Sequence, residues 1–295
     1  LYRAGRLAIY FKLDMDDCMP EVPDASEEPM ADLRERSRGR TGPGNPPVSP
    51  TVPVDARPYY EKYWSPEGFS PTDKALPKTL QVLFERYVQA AHRTIDVGCG
   101  DGSKSGGWLN RHAAGYTGFD VSSHAVELAR VRGLEAQLID DASALPLADG
   151  SVDVAVCSEV LEHLFDPLAA VREMRRVLRG GGTMIVTVPN IVNWRSRLDF
   201  AILGRWHPGG DELSVSQAWR DPHIRFFTSR SLPALLREAG LDIVEVGGVQ
   251  DVSVAYRLPV VRRWVGEDRA GRPTRLLTRV APGLWANHLY AVARA

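Results

Sequence analysis

Gly98, Gly100 and Gly102 alternate in the string Thr94-Ile95-Asp96-Val97-Gly98-Cys99-Gly100-Asp101-Gly102, at the end of a short apolar run that carries the acid Asp96. Residues without a Cβ let the backbone take positive φ and approach a bound molecule closely, so this string reads as a strand entering a turn that holds a ligand. A second apolar run, Tyr116-Thr117-Gly118-Phe119-Asp120, ends in a carboxylate eighteen residues after Gly102. That spacing sets Asp120 beside the glycine turn, where it can accept both hydroxyls of a ribose, with Val121 next to it in the same pocket. The pairing predicts a nucleoside cofactor.

The third glycine narrows the choice. A dinucleotide site needs a glycine where this chain has Ser103. Lys104 follows the glycines too soon to close a Walker phosphate loop. A phosphate-rich ligand therefore fits poorly. Asp96 adds negative potential that suits a cofactor with positive charge, and S-adenosylmethionine carries both an ammonium and a sulfonium. At these residues the chain resembles the class I S-adenosylmethionine-dependent methyltransferases, whose first motif is D/E-x-G-x-G-x-G. The resemblance runs over roughly residues 58 to 250 and returns in the last ten residues.

Further segments carry it in the expected order. Asp140-Asp141-Ala142-Ser143-Ala144-Leu145-Pro146-Leu147 is similar to the family's adenine-reading segment, with Asp140 where glycine is usual. The likeness implies Asp141 and Ala142 as adenine contacts. The stretch from Ser151 to Leu164 resembles the fourth strand and its following helix, which implies Ser158 and Glu159 near the amino-acid part of the cofactor or its methyl group. Leu178-Arg179-Gly180-Gly181-Gly182-Thr183 through Val188-Pro189-Asn190 looks like the glycine hairpin and fifth strand. Aromatic residues just before the first strand often form a lid in this family. Tyr59, Tyr60 and Tyr63 stand there, and Tyr59 is assigned to the cofactor; core packing by a short helix is the other reading.

The elements that must position these residues follow from periodicity. Strands are expected at 93–97, 116–120, 135–139, 152–157, 183–188, 241–247 and 288–293, and helices at 80–91, 104–113, 123–132, 168–178 and 231–239. Their alternation predicts a parallel sheet with helices on both faces. With the resemblance, the expected fold is α/β, a doubly wound, Rossmann-like, seven-stranded sheet with a helical cap insertion after strand five. Residues 1–55 read as a disordered or extended tail, broken by Pro20, Pro23, Pro29, Pro43, Pro46, Pro47, Pro50 and Pro53, and residues 56–295 as the methyltransferase domain. The chain opens on Leu1 with Met15, Met19 and Met30 downstream, which also fits an over-extended reading frame. The cap insertion, about 191–227, follows a strand whose carboxyl end faces the ligand crevice, so it is expected to form the acceptor pocket. A second insertion, about 251–285, carries Arg257, Arg262, Arg263, Arg269, Arg272, Arg275 and Arg279 and reads as a solvated helical face, the other reading being a site for an anionic acceptor or a membrane surface.

Methyl transfer from a sulfonium is an in-line displacement that depends on alignment and exclusion of water. A hydroxyl acceptor must also lose its proton, for which histidine is the usual base. His163, just beyond strand four, and His223, at the end of the cap, are the two candidates. Glu159, Glu162 and His163 fall at i, i+3 and i+4, so they would share one helix face and offer oxygen and imidazole donors to a divalent ion. This arrangement resembles that of the ubiquinone-pathway O-methyltransferases and the small-RNA 2′-O-methyltransferases, where it holds magnesium. His223 precedes Thr228 by five residues, as a further histidine does in the RNA enzymes. The same string also occurs in relatives without a metal, where the acids serve as helix-start charges.

Composition sets the outer bounds. A net charge of −1 and pI near 6.7 argue against a protein held on nucleic acid by a strong positive field. Cys18, Cys99 and Cys157 have neither metal nor disulfide spacing and read as small apolar residues in a reducing compartment. No apolar run reaches spanning length and no leader pattern appears, so a cytoplasmic location is expected. The expected activity is methylation of a small molecule at oxygen, the acceptor being a natural product, sugar or quinone-like metabolite. The competing readings are a nicotinamide-dependent reductase, a cofactor-binding partner subunit without turnover, and metal-assisted 2′-O-methylation of RNA.

Overall fold

A computed structural model describes residues 57–65, 76–205, 221–249 and 280–295. The described residues all belong to one unit, Val54–Ala295. The tail at 1–55, residues 206–220 of the cap insertion and 251–279 of the second insertion lie outside the described residues.

The strands are β1 (Arg93–Val97), β2 (Gly115–Asp120), β3 (Ala136–Leu138), β4 (Val152–Ser158), β5 (Leu178–Pro189), β6 (Asp242–Val249) and β7 (His288–Arg294). They form one seven-stranded sheet in the order β3-β2-β1-β4-β5-β7-β6. The first five pair in parallel, whereas β7 runs antiparallel to both β5 and β6. The sheet is thus mixed, which corrects the expectation of a parallel sheet. Alternation of strand and helix patterns does not report the direction of a final strand that enters from a long connection. Its reversal brings His288, the first residue of β7, to the carboxyl end of β5, opposite Pro189.

The helices are α1 (Arg57–Trp64), α2 (Lys78–Tyr87), α3 (Gly106–His112), α4 (Ser123–Val131), α5 (Pro167–Val177), α6 (Trp194–Leu203), α7 (Ser231–Glu238) and α8 (Pro282–Trp285); α2, α3 and α4 cover one face of the sheet and α5 and α7 the other. Period-two alternation divides each strand between two cores. In β4, Ala155 and Cys157 pack with Met174 of α5 and Leu232 and Leu236 of α7, while Val154 and Val156 pack with Phe84 of α2, Leu109 of α3 and Val126 of α4. The helix starts are encoded locally. Ser122, Asp166 and Asn193 accept the N–H groups of Ala125, Ala169 and Ser196 at the N-caps of α4, α5 and α6. Among the described residues no helix is long and apolar enough to cross a membrane.

Candidate functional site

The turn after β1 folds back on β2, with the N–H groups of Gly98 and Cys99 donating to the Phe119 carbonyl at 2.7 and 3.0 Å. Gly98 and Gly102 adopt φ of 74° and 72°, a region that suits glycine. Space matters as much as conformation here. A Cβ on Gly98 would lie 2.3 Å from Val160, one on Gly100 2.7 Å from the Trp64 ring, and one on Gly102 2.1 Å from Leu134. The glycines were expected to make room for a ligand, yet each missing Cβ first makes room for a side chain of the protein itself. The turn's shape is set by the β4 tip, by α1 and by the loop after α4.

Asp120 ends β2, 7% exposed, with backbone N–H donors to both oxygens: Gly100 to Oδ2 at 2.9 Å and Ser122 to Oδ1 at 3.0 Å. Burial raises its pKa above the ordinary carboxylate range. Val121 is half-buried beside it. Asp96 is buried inside the turn and accepts the Ser105 hydroxyl, and burial pushes it up to about 7. A cationic group brought nearby would draw both acids back toward their ionised forms. On the adjoining rim Asp141 is exposed and accepts the Ser143 N–H at 2.6 Å, with Ala142 buried behind it. These residues fit an adenosyl sulfonium: a buried acid with two acceptor oxygens at a strand tip, a neighbouring rim loop, and a second acid relieved by positive charge.

At the tip of β4, Ser158 is buried and its hydroxyl meets that of Thr187 at 2.8 Å. Glu159 is the one non-glycine with positive φ, 58°, among the described residues, and its N–H donates to the Thr187 carbonyl. That left-handed residue turns the chain, so only Leu161–His163 form a helical element, a single 3-10 turn. Glu159, Glu162 and His163 therefore do not share a helix face, contrary to the i, i+3, i+4 reading. Glu159 points instead to His288 of β7, whose Nδ1 is 2.7 Å from its Oε2. Burial alone would raise the Glu159 acid, but the charge and hydrogen bond of His288 hold it at about 2.

Glu162 and His163 remain together and are joined by His223. The ligand atoms of these three lie within 4.8 Å of one another. The backbone builds this cluster: the Glu162 carbonyl accepts the N–H groups of Ile224 and Arg225 at 2.9 and 3.0 Å, docking the segment from Asp221 to Arg225 on the turn after β4. His163 Nδ1 lies 3.2 Å from the Pro222 carbonyl and so must donate there, leaving Nε2 as the lone-pair nitrogen. Nε2 sits 3.8 Å from Glu162 Oε1. Both Glu162 oxygens are buried without a hydrogen-bond partner, and burial raises this acid well above the usual range. Burial and the neighbouring His223 lower His163 to about 4, so its ring is neutral near pH 7. The rings of His163 and His223 are 4.6 Å apart, and His223 Nδ1 lies 2.6 Å from Asp221 Oδ1. The cluster is a neutral imidazole, a buried acid and an imidazole–carboxylate pair at one strand tip.

On α1, Tyr59 is 45% exposed and stands edge-on to Tyr60. Tyr60 and Trp64, one turn apart, face inward: Tyr60 meets the His163 ring edge-on at 5.9 Å and Trp64 lies against Gly100. Thus the glycines, Asp96, Asp120, Ser158, Glu159, His163 and His223 gather at the carboxyl ends of β1, β2 and β4, while Tyr59 sits on the outer face of α1. Sequence reasoning missed Trp64, Glu61 and His288. Helical periodicity from Tyr60 could have found Trp64, but nothing local marks His288, which reaches the site only through sheet pairing.

Residues 95–186 match the family described as methyltransferase domain. The chain is 31% identical over 208 residues to a ubiquinone biosynthesis O-methyltransferase of Marinobacter nauticus, an alignment covering 67% of this chain and 84% of that protein. It is 34% identical over 205 residues to the methyltransferase GfsG of Streptomyces halstedii, covering 64% of this chain and 67% of the relative. Among solved structures it is similar to the complex of a methyltransferase with the Haloferax volcanii Trm112 methyltransferase activator, at a TM-score of 0.50 and 20% identity, covering 74% of this chain and 88% of that one. Strand order, glycine turn and relatedness over this span agree: the chain belongs to the class I S-adenosylmethionine-dependent methyltransferases.

Proposed function

We propose that the enzyme methylates a hydroxyl oxygen of a small molecule, with His223 as the base. The observation that carries this reading is the Asp221–His223 pair at 2.6 Å, packed against His163 at the β4 tip. With Nδ1–H donating to Asp221, the Nε2 lone pair is available for a proton, and the carboxylate stabilises the imidazolium that forms. Bound S-adenosylmethionine supplies a methyl carbon on a sulfonium, whose displacement by oxygen leaves a neutral thioether. Asp120 accepts the ribose hydroxyls, and Gly98, Gly100 and Gly102 run along the methionine part. Asp141 and Ala142 border the adenine, with Asp96, Val121, Ser158 and Glu159 completing the pocket and Tyr59 on its outer rim. His163, neutral and hydrogen-bonded to Pro222, keeps the base oriented. The likeness to a ubiquinone biosynthesis O-methyltransferase supports oxygen as the attacked atom. Incubation with labelled cofactor and a panel of phenols, sugars, carboxylates and amines tests this; the expected result is gain of one methyl by a hydroxyl compound, and transfer to amines alone would overturn it.

Metal assistance is a second reading, favoured by the partnerless Glu162 carboxyl facing the lone-pair nitrogen of His163. Two acceptors face to face require either a proton or a cation between them. Glu159 is withdrawn by His288, so the set for an ion is Glu162, His163 and His223, and magnesium on all four residues is not the arrangement found. Two imidazoles and one carboxylate suit manganese, zinc or iron better than magnesium. Such an ion would polarise the acceptor oxygen. If it acts, turnover falls in excess chelator and returns with Mn²⁺ or Zn²⁺ ahead of Mg²⁺; turnover unchanged by chelator removes the metal and leaves Glu162 as a neutral acid.

A further inference from the structure

α1 reaches the cofactor pocket through an acid that no motif marks. Glu61 Oε1 accepts the Ser123 N–H at 2.7 Å, and Oε2 accepts the Ser122 hydroxyl at 3.0 Å and the His124 N–H at 3.3 Å, with His124 Nδ1 at 2.8 Å. One carboxylate from another helix thereby occupies the N-terminus of α4, where free amides and the helix dipole favour negative charge. The same turn holds Asp120. Its carboxylate is fixed by two residues already named, the N–H of Ser122 and the N–H of Gly100. α1 touches both of them: Glu61 binds Ser122, and one turn on, the Trp64 indole lies where a Gly100 Cβ would be. At its other end α1 is tied to the adenine rim by Arg57 and Asp140, 2.5 Å apart.

We propose that Glu61 is a positioning residue for the cofactor: by docking α1 on the first turn of α4, it fixes the two residues that aim Asp120 and holds Tyr60 and Trp64 closed over the pocket. This deepens, and rests on, the reading of Asp120 as the ribose acid. Glu61 touches no reacting atom in this scheme; it acts through Ser122 and α1. α1 bears on both residues that aim Asp120, through Glu61 on Ser122 and Trp64 against Gly100, so loosening the latch is expected to shorten the residence time of a ligand seated there. A residue serving fold stability alone would change the melting temperature and leave ligand release untouched.

The test uses S-adenosylhomocysteine and the full chain. Dissociation rate and Kd are measured by stopped-flow fluorescence and calorimetry for Glu61→Ala, Glu61→Gln, Ser122→Ala and the double variant Glu61→Ala/Ser122→Ala. Loss of the charged latch is expected to speed dissociation about tenfold. Glu61→Gln should fall between Glu61→Ala and the parent, since its amide oxygen keeps part of the latch. The effect of Glu61→Ala should shrink in the Ser122→Ala background, because the two residues act in one chain. Release unchanged in folded Glu61→Ala and Glu61→Gln, or effects that simply multiply in the double variant, would overturn the proposal. Asp120→Ala, measured alongside, reports on the seat separately: if it weakens binding while the Glu61 variants do not, the latch fails and the seat stands.

Discussion

Replacing His223 with alanine is expected to lower kcat by about 100- to 10,000-fold, the usual worth of a positioned base, with S-adenosylhomocysteine affinity unchanged. The side chain stands next to His163 and is hydrogen-bonded to Asp221 at 2.6 Å, whereas Asp120 is held by Gly100 and Ser122. Its loss should therefore fall on chemistry rather than on cofactor binding. Asp221→Asn separates the base from a merely packed ring. It preserves shape but favours the wrong imidazole tautomer, so kcat should fall with little change in melting temperature. Rates of His223→Ala close to the parent would assign the proton to another group. Since α1, β4 and the cap segment bring His163 alongside, His163→Ala is the variant to compare next.

Asp120→Ala should raise the Kd for S-adenosylhomocysteine about 10- to 150-fold, corresponding to about 1.5–3 kcal/mol for hydrogen bonds to a charged acceptor. The direction of its pH dependence follows from burial. With Asp120 as the proposed ribose acid, binding requires its ionised carboxylate, whereas burial in the free enzyme raises its pKa. Proton uptake thus competes with the cofactor, and affinity should weaken on acidification sooner than an ordinary aspartate would impose. Calorimetry across pH on parent and Asp120→Asn checks this, because the amide has no such titration. An unaltered Kd in Asp120→Ala would show that the ribose lies elsewhere.

These two residues were legible for different reasons. Asp120 stands at a fixed distance from a glycine turn, and strand, turn and acid are close in the chain, so local spacing carried the information. His223 was legible only as a histidine at the end of an irregular segment. Its partner Asp221 and its neighbour His163 come together because the Glu162 carbonyl accepts the N–H groups of Ile224 and Arg225, a contact across some sixty residues. The shared face read for Glu159, Glu162 and His163 failed at one dihedral, since Glu159 at φ 58° breaks the helix that the spacing assumed. Most of the element pattern, by contrast, lay in plain periodicity: the expected β1, β2 and β4 agree with the observed strands to within one residue.

By itself, the sequence determined the strands, the amphipathic helices that cover them, the glycine turn and its acid, because each depends on residues near one another in the chain and on one repeating period. Tertiary structure alone decided the direction of β7, the withdrawal of Glu159 to His288, the meeting of His163 with His223, and the latch of Glu61 on α4. Each of these joins residues distant in sequence, through side-chain reach and backbone pairing, and such contacts leave no periodic trace for a linear reading to find.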